Sequence, residues 1–492
     1  MSDVPRLGRA SWLAGLQCAR RLWLCVRAPH VAGPADADAA DRKATGRTLA
    51  LRARALFPGG VAVAGDGAVA ATRALVAAPD VPAVFDAAFE HAGVAVRVDV
   101  LERLAGGGFG LRDVTPRTRV RPEHLEDVAL QRAVVAACGV DVRSAEVVLV
   151  DREYVRGPGE VDWPRFFRRQ DVTAETAPLA ADAGARRDAF AATLARPDAP
   201  AVEPSPHCFS PRRCEFWTHC TAGRPDDWIM RLPRLYRNHH AALREAGIAR
   251  IADVPDGWWL TGPQARARAA VLGGRVVATD GLAAALRAAG PPASYLDFEG
   301  AAPAVPILVG TRPYETIPFQ WSLHRDDGAH ATHAAFLADG PRDPRPAFLE
   351  SLLAATAGSD EPVLVYSPYE SQVLAALAEA FPRHAAALDA LRARLVDLLD
   401  VILAHVYHPA FAGSFSLKQV APALVEGFAW DDAGGVTHGT AASRAFEALW
   451  TGRVTGAEAA ALRAALLAYC ATDTRALMEV HRALRRLAAA AR

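Results

Sequence analysis

Two carboxylates set one residue apart at the end of a short apolar run constrain this chain more than any other feature. The run, Ser294 to Glu299, follows the break Gly290-Pro291-Pro292 and reads as a buried strand closing in Leu296-Asp297-Phe298-Glu299. Residues two apart on a strand project from the same face, so Asp297 and Glu299 stand side by side. Neighbouring carboxylates repel one another unless cations lie between them. Hard divalent ions such as Mg²⁺ and Mn²⁺ take oxygen ligands of this kind. A pair of such ions about 3.5–4 Å apart activates water and stabilises the leaving oxygen in phosphodiester cleavage.

Three further strings follow in a fixed order. Tyr366-Ser367-Pro368-Tyr369-Glu370 comes after the apolar run Pro362 to Tyr366, so a strand passes through a Ser-Pro turn into a helix beginning near Glu370. Gly413-Ser414-Phe415-Ser416-Leu417-Lys418 is a polar loop string. Its lysine is one of two, with Lys43, against 53 arginines. A compact ammonium group is not interchangeable with guanidinium, which marks Lys418 as a substrate-binding candidate. Tyr469-Cys470-Ala471-Thr472-Asp473 lies in the Ala- and Leu-rich stretch 458–484, which reads as helix and puts Tyr469 and Asp473 on one face. There Asp473 can ligate the metals while the Tyr469 hydroxyl holds the attacking water.

The order and spacing of these strings, over roughly residues 290 to 490, resembles the DnaQ-like 3′–5′ exonucleases of the DEDD type, Tyr subclass. The resemblance implies an RNase H-like mixed sheet flanked by helices. It assigns catalysis to Asp297, Glu299, Glu370, Tyr469 and Asp473, and two Mg²⁺ or Mn²⁺ ions to the four acids. Glu370 stands where that family usually has Asp, and Asp397, in Arg394-Leu395-Val396-Asp397-Leu398, is the alternative.

The first 222 residues carry a second constellation. Val94 to Leu101 alternates as a half-buried strand with Asp99 near its end. After the turn Gly106-Gly107-Gly108, Phe109 to Val114 is a second strand bearing Asp113, and a helix opening at Asp127 holds Gln131. Cys208, Cys214 and Cys220 are separated by five residues each, and Cys18 lies far upstream. Four thiolates suit structural zinc or an iron–sulfur cluster, and their spacing leaves both open. The strand, hairpin and helix pattern resembles the PD-(D/E)XK nucleases of the RecB kind. In one subgroup, which includes CRISPR spacer-acquisition nucleases, one upstream and three downstream cysteines hold a 4Fe-4S cluster. The resemblance thus implies a cluster on Cys18, Cys208, Cys214 and Cys220, and a possible second site of Asp99, Asp113 and Gln131. The family places a lysine two residues after the second acid; here that position is Thr115, with Arg117 and Arg119 as the nearby cations. Residues 1–222 are accordingly expected to grip nucleic acid, with cleavage weakened or lost.

At 492 residues the chain is expected to be an α/β (α+β) multidomain protein: a PD-(D/E)XK-like mixed sheet with helices over 1–222, a helical connector over 223–290, and the RNase H-like domain over 291–492. Within the connector, Leu243 to Val254 reads as a small helical element. The pairing of the two halves, with Pro318-Phe319-Gln320-Trp321-Ser322-Leu323-His324 and Asp397-Leu398-Leu399, resembles a bacterial family described only as a domain of unknown function. Net charge is zero, but residues 1–60 hold ten Lys or Arg against four Asp, enough for a phosphate-facing patch. No apolar run reaches membrane-span length, and the Arg-bearing start lacks a signal-peptide core. Seven cysteines without a secretory signal fit a reducing cytoplasm. The expected partner is nucleic acid, DNA ahead of RNA, with no membrane. Phe298, Trp321 and Tyr369 are candidate base-stacking rings. A 3′–5′ exonuclease on single-stranded or frayed DNA is the expected function. An RNA exonuclease and a catalytically degenerate, cluster-containing binding protein remain open.

Overall fold

The computed structural model describes residues 6–34, 38–430 and 435–490. The chain forms two compact units, one of residues 1–223 with 303–315, the other of residues 224–302 with 316–492. Each has its own mixed sheet, so the architecture is an α/β multidomain one. No helix among the described residues is long and apolar enough to cross a membrane.

The first unit is built on a six-stranded sheet in sequential order: β1 (Val61–Ala62), β2 (Ala83–His91), β3 (Val94–Arg103), β4 (Phe109–Val114), β5 (Val142–Val150) and β6 (Phe167–Asp171). Strands β2 to β4 form an antiparallel meander whose last turn uses Gly107 and Gly108 at positive φ. A side chain at Gly108 would run into Asp141, so the turn needs glycine there. Strands β4 and β5 are parallel, which requires a crossover. The helix Pro122–Ala137 supplies it. It begins five residues before the expected Asp127, because Pro122 suits the first helical turn and the His124 ring accepts the Arg121 amide. Val98, Leu101, Leu111, Val128, Val135 and Leu149 are among the residues that fill the core between sheet and helix.

The second unit has a five-stranded sheet ordered β10-β9-β8-β11-β12. Here β8 is Ala293–Ala301, β9 Ile317–Asp326, β10 Ala331–Leu337, β11 Val363–Val365 and β12 Leu395–Asp397. The central β8 pairs antiparallel with β9 and parallel with β11. Its alternate residues Leu296 and Phe298 pack into a core with Phe348, Leu352, Val373 and Leu377. Tyr295, Asp297 and Glu299 therefore take the opposite face, toward the 35-residue helix Gly456–Ala490. The Tyr295 hydroxyl meets His481 Nδ1 of that helix at 2.9 Å.

Two expectations change. The segment read as a separate connector belongs to the second unit, where β7 (Val277–Ala278) pairs antiparallel with β13 (Val406–Tyr407). Its helix Arg237–Glu245 begins before the expected Leu243–Val254 element and ends inside it, where Gly247 adopts φ +73°. Residues 303–315, an excursion between β8 and β9, group with the first unit. There the Tyr314 hydroxyl donates to the Pro116 carbonyl and Gly310 N–H to the Arg156 carbonyl.

Candidate functional site

The carboxylates meet on one face of β8, from its midpoint onward. Ligand oxygens of Asp297, Glu299 and Asp473 all lie within 4.8 Å of one another. Strand period brings the first two together, and Asp473 reaches them from the C-terminal helix, where it shares a face with Tyr469. Glu370 sits in the first turn of the helix Tyr369–Ala380, where negative charge is favoured. Its carboxylate accepts the backbone N–H of Phe298, the residue between the two strand acids. The Ser367 hydroxyl donates to it at 3.4 Å. Glu370 is thus held against the same strand. Asp397, the alternative, lies at the end of β12 and caps the helix Leu398–His405 through the Leu399 amide at 2.9 Å.

Burial dominates the electrostatics of this group. It lifts Asp297 well above the carboxylate range, with Asp473, Glu299 and Glu370 adding repulsion. Glu299 rises to about 8 through burial and then through Asp473 and Glu370, against the pull of Lys418. Burial pushes Glu370 to about 7, opposed by its backbone hydrogen bonds. Asp473 is raised by burial and pulled back by Trp430, Lys418 and Tyr469. Four acids crowded into a dry site with one ammonium nearby have an unmet demand for positive charge, and an all-oxygen donor set suits hard divalent ions.

The remaining site residues surround this cluster. The Tyr469 hydroxyl is hydrogen-bonded to Asp473, and burial together with that carboxylate raises its pKa strongly. Lys418 Nζ donates to the Thr437 carbonyl and lies 5.0 Å from the centre of the Tyr469 ring. Sequence reasoning passed over three contacts. Trp430 Nε1 donates to Asp473 Oδ1 at 2.6 Å. The Cys470 thiol, fully buried, donates to Asp297 Oδ2 at 3.2 Å. Tyr369 brings its hydroxyl over Gly300, where a Cβ would stand 2.4 Å from it. Tyr369, beside Glu370, and Cys470, beside Tyr469, lay within quoted strings, whereas Trp430 lay outside them all. Phe298 and Trp321, expected to stack bases, are instead buried in the core, with Trp321 Nε1 donating to Ser351 Oγ.

In the first unit Asp99, Asp113 and Gln131 also come together. Asp99 Oδ2 accepts the Val114 amide at 2.7 Å, and Gln131 Nε2 donates to Asp113 Oδ1 at 3.1 Å. Asp127, one helical turn before Gln131, joins them as a third acid. Burial pushes Asp99 to about 7 and Asp127 to about 8, with Asp113 adding repulsion to both. The cation that enters is Arg9, whose Nε lies 2.7 Å from Asp127 Oδ2, and not Arg117 or Arg119, the cations near Thr115 in the sequence. Thr115 extends the strand, its N–H donating to the Val148 carbonyl. Asp113 Oδ2 and Gln131 Oε1 are buried without a partner, an acceptor-rich corner that fits a cation.

Cys18, Cys208, Cys214 and Cys220 line one cavity together with Arg20 and Arg21. All four are free thiols. Burial raises Cys208 and Cys220 and lifts Cys214 to about 11. Arg21, itself buried, grips Glu215 at 2.9 Å and so ties the downstream cysteine loop to the helix Ala19–Arg27. Arg20 Nε is buried there without a partner. A soft-donor set facing an unpaired guanidinium nitrogen fits an anionic metal–thiolate group.

The family described as Domain of unknown function (DUF2779) matches residues 294–416. No curated protein matches the chain. The matched stretch holds Asp297, Glu299 and Glu370 but ends before Lys418, Tyr469 and Asp473, so the chain resembles that family over the strand half of the carboxylate site.

Proposed function

We propose that the second unit is a two-metal 3′–5′ exonuclease acting on single-stranded or frayed DNA, and that the first unit grips the nucleic acid. The observation that carries this reading is the convergence of Asp297, Glu299 and Asp473, with Glu370 behind them and Tyr469 on Asp473. Two Mg²⁺ or Mn²⁺ ions held by these acids would supply an activated water and charge compensation on the leaving oxygen. The chain's own residues do the rest. Glu370, locked to the Phe298 amide, fixes this part of β8, and the Cys470 thiol fixes Asp297. Tyr469 keeps its proton at working pH and so orients water by hydrogen bonding instead of acting as a base. Lys418 offers the compact positive charge nearest the acids, suited to a phosphate oxygen.

In the first unit Arg9 already neutralises part of the Asp99, Asp113 and Asp127 group, which supports a binding role over a cutting one. The four-cysteine cavity is assigned a 4Fe-4S cluster, with zinc as the alternative. Among the described residues no three of the sulfurs lie within 4.8 Å of one another, wider than tetrahedral zinc with Zn–S bonds of about 2.3 Å draws its ligands.

Incubation with end-labelled DNA and RNA oligonucleotides in Mg²⁺ or Mn²⁺ tests the reading. The wild-type protein should shorten single strands from the 3′ end, and Asp297→Ala should abolish that. Binding without turnover by the wild type, or full activity in Asp297→Ala, overturns it. Faster loss of the RNA strand would move the substrate from DNA to RNA.

A further inference from the structure

Residues 425–430 run beside the C-terminal helix and are fastened to it at two points. Trp430 Nε1 holds Asp473 Oδ1 at 2.6 Å, and the Arg475 guanidinium lies 5.4 Å from the centre of the Phe428 ring. The rings of Phe428 and Trp430 meet edge to face, 5.1 Å apart. Both side chains are half-buried, so each keeps open ring surface. Val425, Glu426, Gly427 and Phe428 line a concave pocket with Arg475 and Glu479. Glu479 is tied to Arg482 at 2.8 Å, whereas Arg475 is exposed and makes no ion pair among the described residues.

Two half-buried aromatic rings, a guanidinium that lies against one of them without an ion pair among the described residues, and a direct hydrogen bond to a metal-site carboxylate make a specific combination. A nucleobase presents a flat π-face for the rings, and the phosphate next to it suits the guanidinium. A base inside a duplex has both faces covered by its neighbours and cannot enter. We propose that Phe428 and Trp430 form a stacking subsite for an unpaired base near the 3′ end of a single strand, with Arg475 on the adjoining phosphate. The proposal rests on the nuclease reading and adds the element that selects single strands. Through its N–H, Trp430 is also the positioning residue that links the occupied subsite to Asp473.

The test uses the full-length protein and a single-stranded oligonucleotide carrying 2-aminopurine at its 3′ end, whose fluorescence falls on stacking. Binding is followed with Ca²⁺ in place of Mg²⁺, and cleavage is measured in parallel with Mg²⁺. Wild-type protein should quench the probe. Phe428→Ala should weaken binding about 5–150-fold, the equivalent of one lost base stack, restore the fluorescence, and raise KM far more than it lowers kcat. Phe428→Tyr should rescue both signals, and Arg475→Gln should lower the salt dependence of binding by about one phosphate contact. Trp430→Phe, which keeps a ring but loses the N–H, should retain quenching and lose kcat. A wild type that cleaves, alongside a Phe428→Ala protein that binds and quenches equally well, overturns the subsite. A wild type that neither binds nor cleaves overturns the nuclease reading with it.

Discussion

Glu299→Gln should remove most of the pH dependence of the second unit's stability. Glu299 is 8% exposed, and burial beside Asp473 and Glu370 lifts it from its ordinary 4.5 to about 8. Folded protein therefore holds a proton that the unfolded chain has released, and stability falls as pH rises across that interval. Below about pH 4.5 both states are protonated and nothing is lost; above about pH 8 both are ionised and the full penalty applies. At about 1.4 kcal/mol per pH unit the ceiling from Glu299 alone is about 5 kcal/mol. Repulsion is shared among the acids, so a loss on the order of 2–5 kcal/mol is expected, roughly 5–15 °C in Tm for a unit of this size. Glu370, raised to about 7, acts in the same direction over a narrower span.

The assay is thermal unfolding of metal-stripped protein from pH 5.5 to 8.5, with and without Mn²⁺. The transition that responds to Mn²⁺ reports the second unit. Wild-type Tm in EDTA should fall with rising pH, and Mn²⁺ should restore it most at pH 8, where the acids are free to bind. Glu299→Gln should lose at least half of the pH slope, gain stability over wild type at pH 8 and respond weakly to Mn²⁺. A metal-free wild type whose Tm is flat or rises over this range, or a Gln variant with an equally steep fall, would refute the reasoning.

Tyr469→Phe should lower turnover by about 10–10⁴-fold and leave Mn²⁺ affinity nearly unchanged, as for loss of one positioned hydrogen bond; a shift confined to metal dependence would remove the water-orienting role. Protein purified without oxygen should be brown, and Cys214→Ser should bleach it and loosen the first unit more than the second; stoichiometric zinc without iron would keep the staple and discard the cluster. The double change Asp99→Ala, Asp113→Ala should mainly weaken substrate affinity. If that variant is dead while Asp297→Ala still cuts, cleavage belongs to the first unit.

The parts of both sites that were legible in the sequence are those set by the period of a single element. Asp297 and Glu299 share a face because a strand repeats every two residues, and Tyr469 and Asp473 because a helix nearly repeats at four. The breaks at Gly290-Pro291-Pro292 and Gly106-Gly107-Gly108 bound β8 and β4 for an equally local reason. Glu370 could be placed near the site but not ranked above Asp397, since what decides between them is the Phe298 amide on a neighbouring strand. Arg9 on Asp127 and Trp430 on Asp473 left no trace, because such pairs join elements far apart in the chain and no spacing rule connects them. The same holds for residues 303–315, whose place in the first unit follows from contacts with Arg156, Glu153 and Pro116, all far away in the chain. The contacts that escaped the sequence are also the ones that modify the chemistry. Arg9 occupies an acidic corner that Thr115 leaves without a lysine, and Trp430 ties Asp473 to an aromatic segment outside every string. Period supplies the ligands of such a site; tertiary contacts decide how they are used.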